Sequence, residues 1–269
     1  MNTPDSKLRE TSVVSARLAA RNLAAPALRV LVLSSSYPSG VLPQVELWAR
    51  RLVQSVTGFA EAKVVAPVPY VPALLDRSSR NNAQYKDVPR HRWDGKVEVF
   101  HPRLLTGPGQ SLYGLEAASY ACTVLPTVHR LRREFPFDVI HAHSSYPDGV
   151  AWVLLGHLYG IPVIITEHHP WLPRMRQLRL VRQQAVWAAR ECNAHIATSQ
   201  AVRDHIGQFT GDPEKVSVIP NVIDPAVLAP TLHQRRNPDQ NLWLGKQYAA
   251  LVGPVLRSNL QARFAAALI

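Results

Sequence analysis

The sequence predicts a doubly wound α/β domain over residues 28–222: a parallel sheet of about seven strands with helices on both faces. Three observations carry this. Strand-like and helix-like stretches alternate along the chain. The strand-like ones are unbroken apolar runs rather than polar–apolar alternations, as parallel strands covered on both faces are. The chain has 269 residues, 46% hydrophobic and 18% charged, enough to bury a substantial core and unlike a disordered chain.

The elements follow in order. Residues 29–34 (RVLVLS) are too short for a helix and branched enough for a strand. Residues 44–56 (QVELWARRLVQSV) place Val45, Leu47, Trp48, Leu52 and Val53 at helical spacing. Residues 62–67 (AKVVAP) give a second strand and 97–100 (VEVF) a third. Between them, 68–96 is rich in Pro, Arg and Asn and reads as an excursion loop. A helical stretch covers 111–134, with Pro126 as the point where it would break. Then come a strand at 138–143 (DVIHAH), a helix at 148–159, a strand at 162–167 (PVIITE) and a basic helix at 178–190. A strand at 194–199 (AHIATS), a helix at 200–209 and a strand at 215–220 (KVSVIP) complete the domain. Residues 1–27 read as a flexible N-terminal extension and 223–246 as a linker. Residues 247–269 read as the start of a second domain, well short of the roughly 50 residues a domain needs.

Charge and composition narrow the function classes. The net charge is +11, and the 30 basic residues are 24 Arg and 6 Lys. An Arg-rich balance points to nucleic acid, an anionic membrane surface or a phosphorylated substrate. No nucleic-acid-binding motif accompanies it, so nucleic acid is not the expected partner. Cys122 and Cys192 are too few for a disulfide scaffold or a cysteine zinc site and read as buried, reduced thiols. The most apolar stretch, 150–166, carries His157 and a Gly160-Ile161-Pro162 break, so it reads as helix, turn and strand rather than a membrane span. The expected location is the cytoplasm, with the inner face of the plasma membrane as a peripheral site.

In an open parallel sheet, ligands bind beyond the carboxyl ends of the strands. After the first strand come SSSYPSG (34–40) and a helix from about Gln44. Small residues let the backbone approach a ligand and a helix N-terminus favours an anion, which marks Ser39, Gly40 and Gln44. The absence of Gly-x-Gly-x-x-Gly argues against a dinucleotide. After the fourth strand, His141 and His143 share one face, His141 deeper and His143 at the rim. A rim histidine acts as a general base or hydroxyl partner, or is held structurally by backbone. Tyr146 and Asp148 follow, and Asp148 also reads as an N-cap. After the fifth strand come Glu167 and His168. Tandem histidines without a positioned carboxylate set are not zinc spacing, so no metal is predicted. After the sixth comes Ser199, with Arg203 one turn into the helix, either meeting a phosphate or carboxylate or simply solvated. This convergence at successive strand ends favours a functional His143. Residues 171–190 carry Arg174, Arg176, Arg179, Arg182 and Arg190 without an acid. They read either as an element partly inserted in an anionic membrane, with Trp171 and the first four arginines facing it, or as an amphipathic helix with a solvated basic face.

Taken together, RVLVLSSSYPSG (29–40), VELWARRL (45–52), FDVIHAHSSYPDGVAWVLL (137–155), GIPVIITEHH (160–169), IATSQAVRDHI (196–206) and VSVIPNVID (216–224) resemble the N-terminal half of glycosyltransferase family 4. These are retaining, nucleotide-sugar-dependent enzymes of the GT-B fold. The YPDG run and the APVP after the second strand look most like bacterial enzymes that build cell-surface polysaccharides. The resemblance implies one half of a GT-B fold, in which this half holds a glycan or lipid-linked acceptor. The other half holds the nucleotide sugar, and no cofactor is needed. It implies that Gly40 lies near the donor phosphates, that His143 matches a cleft histidine contacting the sugar, and that His168 and Arg203 match polar cleft positions. Residues 221–224 mark the exit to the interdomain linker.

The sequence departs from the family in carrying one glycine in the first loop and no glycine after Asn221. The family's basic pair for the pyrophosphate and its two-glutamate donor motif have no counterpart. The expectation is therefore a hexosyltransferase half for polysaccharide or glycolipid assembly, inactive without a separately supplied donor-binding domain. Two other readings stay open: a non-catalytic acceptor- or membrane-binding module, and a relative of the nucleotide-sugar epimerases.

Overall fold

The computed structural model describes residues 28–45, 47–70, 83–105 and 113–221. The extension at 1–27, the linker at 223–246 and the segment at 247–269 lie outside the described residues. The sheet is built from β1 (Leu28–Leu33), β2 (Ala60–Val65), β4 (His91–Asp94), β5 (Val97–Phe100), β7 (Val139–His143), β8 (Val163–Glu167), β9 (Ala194–Ala197) and β10 (Val216–Val218). Their order across the sheet is β10-β9-β8-β7-β1-β2-β5-β4. Every neighbouring pair is parallel except the β4–β5 hairpin. A separate pair, β3 (Val68–Tyr70) and β6 (Arg103–Leu105), lies parallel beyond the ends of β2 and β5.

The helices are α1 (Leu47–Val56), α2 (Glu116–Glu134), α3 (Val150–Tyr159), α4 (Pro173–Gln177), α5 (Arg179–Glu191) and α6 (Gln200–Thr210). Two cores form because successive strand residues point to opposite faces. On one face Leu31, Leu33, Ile140, Ala142 and Ile165 pack with Tyr120 and Leu131 of α2, Trp152 of α3 and Val181 of α5. On the other, Val30, Val32, Val64, Val139 and Ile164 pack with Ala49, Val53 and Val56 of α1. Val202 and Ile206 of α6 close over Ala197 and Val216. The same alternation sends His141 and His143 to the α1 face. At Gly156 of α3 an added Cβ would lie 2.4 Å from the Val163 side chain, so glycine lets this helix sit down on β8. α3 ends on Gly160 at φ 62°, a left-handed C-cap that favours glycine.

The seven parallel strands match the expectation, and the sheet carries an eighth. The stretch 68–96 contains β3 and β4 rather than being wholly a loop. β4 escaped the apolar-run criterion because it is an edge strand of sequence HRWD, with Trp93 61% exposed. Its hairpin turns on Gly95, at φ 62°. Pro126 does not break α2, which runs unbroken through it with Ala117, Tyr120, Val124, Val128 and Leu131 as one buried stripe. The packing of that stripe outweighs one missing hydrogen bond.

The helix expected at 178–190 is α5, and the basic stretch 171–190 as a whole holds two helices, α4 and α5, divided at Leu178, whose backbone is extended (φ −78°, ψ 107°). Met175 and Val181 are both buried, yet six residues of one straight helix would set them about 120° apart around the axis. The break brings both inward. Cys122 is exposed and Cys192 half-buried, both unpaired, so only part of the buried-thiol expectation holds. No helix among the described residues is long and apolar enough to cross a membrane.

Candidate functional site

The end of β7 and His168, the residue after β8, build a histidine cluster under α1. His141 and His143 are both buried. The Nε2 of His141 lies 2.8 Å from Thr166 Oγ1. The Nδ1 of His143 lies 2.9 Å from His168 Nε2, and His168 Nδ1 lies 2.9 Å from Asn221 Oδ1. Trp48 of α1 stacks on the His168 ring and sits 5.1 Å from the His143 ring. Burial holds these rings neutral. It pushes His141 and His168 down to about 3, and His143 well below the ordinary histidine range, where His141 and His168 also oppose a positive charge. Among the described residues, the Nε2 of His143 is buried without a hydrogen-bond partner. Ser144, directly after His143, adopts φ 76°, an uncommon backbone conformation for a residue with a side chain.

Two buried carboxylates tie the strand-end loops together. Asp148 Oδ2 accepts from the Ser35 backbone N–H at 2.9 Å, joining the loops after β7 and β1. Glu167 Oε1 accepts from the Ser145 N–H at 2.7 Å and from the Trp171 indole at 3.0 Å, joining the loops after β7 and β8. Burial pushes the Glu167 carboxyl up, and the hydrogen bonds from Ser145 and Trp171 counter it. The Tyr146 hydroxyl donates to the Tyr113 carbonyl, and burial raises it to about 12.

The β4–β5 hairpin clamps the first loop. Asp94 accepts from the Tyr37 hydroxyl at 3.0 Å and from Arg50 at 2.6 Å. Arg92 donates to the Pro38 carbonyl and, at 3.1 Å, to His101 Nε2. His101 in turn donates from Nδ1 to the Ala66 carbonyl at 2.8 Å, and burial lowers it to about 4. Beside this loop lies a cavity of about 280 Å³, walled by Ser35, Ser39, Tyr85, Glu116, Tyr120 and Pro147 among others. Burial also raises the Glu116 carboxyl. His143 is not in the walls of this cavity.

Of the residues singled out from the sequence, the structure joins His143 to His168 directly. Asp148, Glu167 and Tyr146 lie around them as buried supports of the loops rather than open cleft groups. His143 ends its strand as expected but is 2% exposed, covered rather than open at the rim. Ser39 is buried on the cavity wall and its Oγ accepts from the Leu42 N–H at 3.2 Å. Gly40 and Gln44 are exposed, and a Cβ at Gly40 would meet nothing within 4 Å.

Ser199 caps α6, its Oγ accepting from the Val202 N–H. Arg203 is not an open cleft cation, since its guanidinium holds the Pro213 carbonyl and the Glu214 carboxylate. Trp171 does not face outward either. It is 1% exposed, bonded to Glu167 and stacked 5.1 Å from Phe209, because its indole N–H needs the buried carboxylate. Arg174, Arg176 and Arg179 are exposed and Arg182 is half-buried, with Arg174 over the Tyr113 ring at 4.5 Å. The sequence reading did not single out Tyr37, Asp94, Arg92 or His101, and it counted Trp48 as an apolar helix residue. The Asp94-Gly95 pair was the available turn signal for the hairpin.

This architecture is that of one half of a GT-B fold. A sucrose-phosphate synthase of Thermosynechococcus elongatus superposes with a TM-score of 0.53 over 77% of this chain and 53% of its own, at 9% identity, a likeness of fold alone. Residues 13–227 match the family described as Glycosyltransferase Family 4, and the chain belongs to that family. An alpha-maltose-1-phosphate synthase of Mycolicibacterium smegmatis is 29% identical over 57% of this chain and 43% of its own length. A D-inositol 3-phosphate glycosyltransferase of Arthrobacter is 21% identical over 70% and 49%. A Bacillus subtilis protein named for glycosyl transfer in teichuronic acid biosynthesis is 27% identical over 52% and 36%. The chain thus spans less than half the length of the curated relatives it matches.

The buried neutral histidines set a pH dependence. A histidine whose folded pKa is depressed contributes stability that is present above about pH 6.5 and lost as pH falls toward its folded value. His195, buried at about 4 and outside the rim, belongs to this set. Urea midpoints should fall between pH 6.5 and pH 4. His195→Asn should make that fall shallower by about 1 kcal/mol per pH unit, close to the limit for one group. An unchanged slope would show that His195 titrates alike in the folded and unfolded chain.

Proposed function

We propose that this chain is the acceptor-side half of a retaining, nucleotide-sugar-dependent hexosyltransferase that serves polysaccharide or glycolipid assembly. The observation that carries the reading is His143: a neutral, buried imidazole at a strand end whose Nε2 has no partner among the described residues. A buried polar atom left without a partner costs about 1–3 kcal/mol, which a substrate hydroxyl would recover. Ser39, Tyr85 and Glu116 in the neighbouring cavity suit the hydroxyls of a sugar acceptor.

The groups of this rim are imidazoles, hydroxyls and carboxylates. They suit sugar hydroxyls better than a pyrophosphate, whose charge we assign to a donor-binding domain, in the same chain or another. His143 Nε2 is covered in this state, so a sugar reaches it only when the covering groups shift. The test is reconstitution with a matching donor-binding domain under saturating acceptor. His143→Ala should lower turnover on the order of 10²-fold, through lost transition-state contacts. His141→Ala should act instead on stability, because its ring is bonded to Thr166 within the sheet. Undiminished turnover by the His143 variant would end the catalytic assignment.

The exposed Arg174, Arg176 and Arg179 and the half-buried Arg182 stand with exposed Leu172, Leu178 and Leu180. Leu180 lies against Gly114, next to exposed Leu115. We propose that this mixed surface seats the protein peripherally on the anionic inner face of the plasma membrane, with these leucines, not Trp171, at the interface. Sedimentation should show binding to vesicles containing anionic lipid and little to neutral ones. Equal binding to both would remove the electrostatic basis.

A further inference from the structure

We propose that Asn221 is a positioning residue that acts through His168 to fix which nitrogen of His143 carries the proton. Asn221 would thereby decide whether the rim presents a lone pair or an N–H to a substrate hydroxyl. The inference rests on the reading of His143 given above and concerns how that site is controlled.

The chain of contacts has few free choices. Both rings are neutral, so each carries one N–H. Asn221 Oδ1 can only accept, so the proton of His168 is on Nδ1, 2.9 Å away. His168 Nε2 is then a bare acceptor, and His143 must donate to it from Nδ1 at 2.9 Å. That leaves His143 Nε2 as a lone pair, and this atom is buried without a hydrogen-bond partner among the described residues. A neutral relay has only one other arrangement. If the Asn221 amide turned its NH₂ toward His168, both protons would move to Nε2 and His143 would present a donor.

The surroundings select between these two states rather than blurring them. Trp48 is stacked on His168 with the planes 23° apart, which holds the ring plane and limits turning of the imidazole. His141 is 4.6 Å from His143 ring to ring, but its Nε2 is engaged with Thr166. The amide of Asn221 is therefore the part of the relay free to choose. It lies past β10, where the chain leaves the sheet, and it is only partly buried. A displacement of the backbone there changes which amide atom meets His168. The amide of Asn221 and the state of His143 are thus coupled by two hydrogen bonds.

Nitrogen-resolved NMR of the full chain with labelled histidine tests this, with His143→Gln and His168→Gln variants assigning the signals. In the wild type, His143 and His168 should both be protonated on Nδ1 and bare on Nε2. Asn221→Ala should shift the His143 population toward Nε2–H. Asn221→Asp, which keeps an acceptor oxygen, should retain the wild-type pattern, an outcome that a purely structural role for Asn221 would not produce. A wild-type His143 protonated on Nε2, or an Asn221→Ala variant with unchanged tautomers, would overturn the proposal. These readouts need no turnover. Transfer surviving in His143→Ala would defeat the catalytic reading while leaving the tautomer pattern as found, so the two failures are distinguishable.

Discussion

Burial of two carboxylates, Asp148 and Glu167, is the constraint on which the rim depends. Each is closed to solvent, with one oxygen held by N–H donors of the surrounding loops: Ser35 for Asp148 Oδ2, Ser145 and Trp171 for Glu167 Oε1. A buried acceptor of this kind is expensive to leave alone, and so are the donors it holds. The loops after β1, β7 and β8 therefore form one unit instead of three independent connections. That unit fixes the exit of β7, and with it His143, between the sheet and α1. The β4–β5 hairpin extends the unit by holding Tyr37 and Pro38 through Asp94 and Arg92. A site assembled from strand ends and cross-tied in this way is organised before any ligand arrives.

Much of the fold was legible because its signals are local. Unbroken apolar runs announce parallel strands, and the seven expected between residues 28 and 220 all became strands. The period of two along β7 put His141 and His143 on a common face, which the two cores bear out. β4 was not legible, since an edge strand needs no apolar run and HRWD has none. The same limit explains the misreading of Trp171. Its place among arginines suggested an interface, but its fate was set by Glu167, whose own burial follows from β8 lying deep in the sheet.

The site was legible only in outline. Pairing a strand-end histidine with another strand end is a topological inference, and it led to His143 and His168. The contacts that give the cluster its chemistry join residues far apart in sequence: Trp48 to His168, Tyr37 to Asp94, His168 to Asn221. No local pattern reports them. Arg203 shows the reverse case, a residue whose position suggested a ligand and whose guanidinium is spent on Glu214. Membership of glycosyltransferase family 4 supplies the class of chemistry, and the neutral rim suggests which part of a transfer reaction this half would carry.

The central claim is that His143 is held neutral and ready, with its proton inside the relay and its free nitrogen waiting for a hydroxyl. A histidine-resolved NMR pH titration of the full chain tests this most directly. The burial of His143, with His141 and His168 opposing its charge, predicts that its ring stays neutral well below the ordinary histidine range. A His143 that gained its proton near pH 6.5, as a solvated imidazole does, would contradict the account.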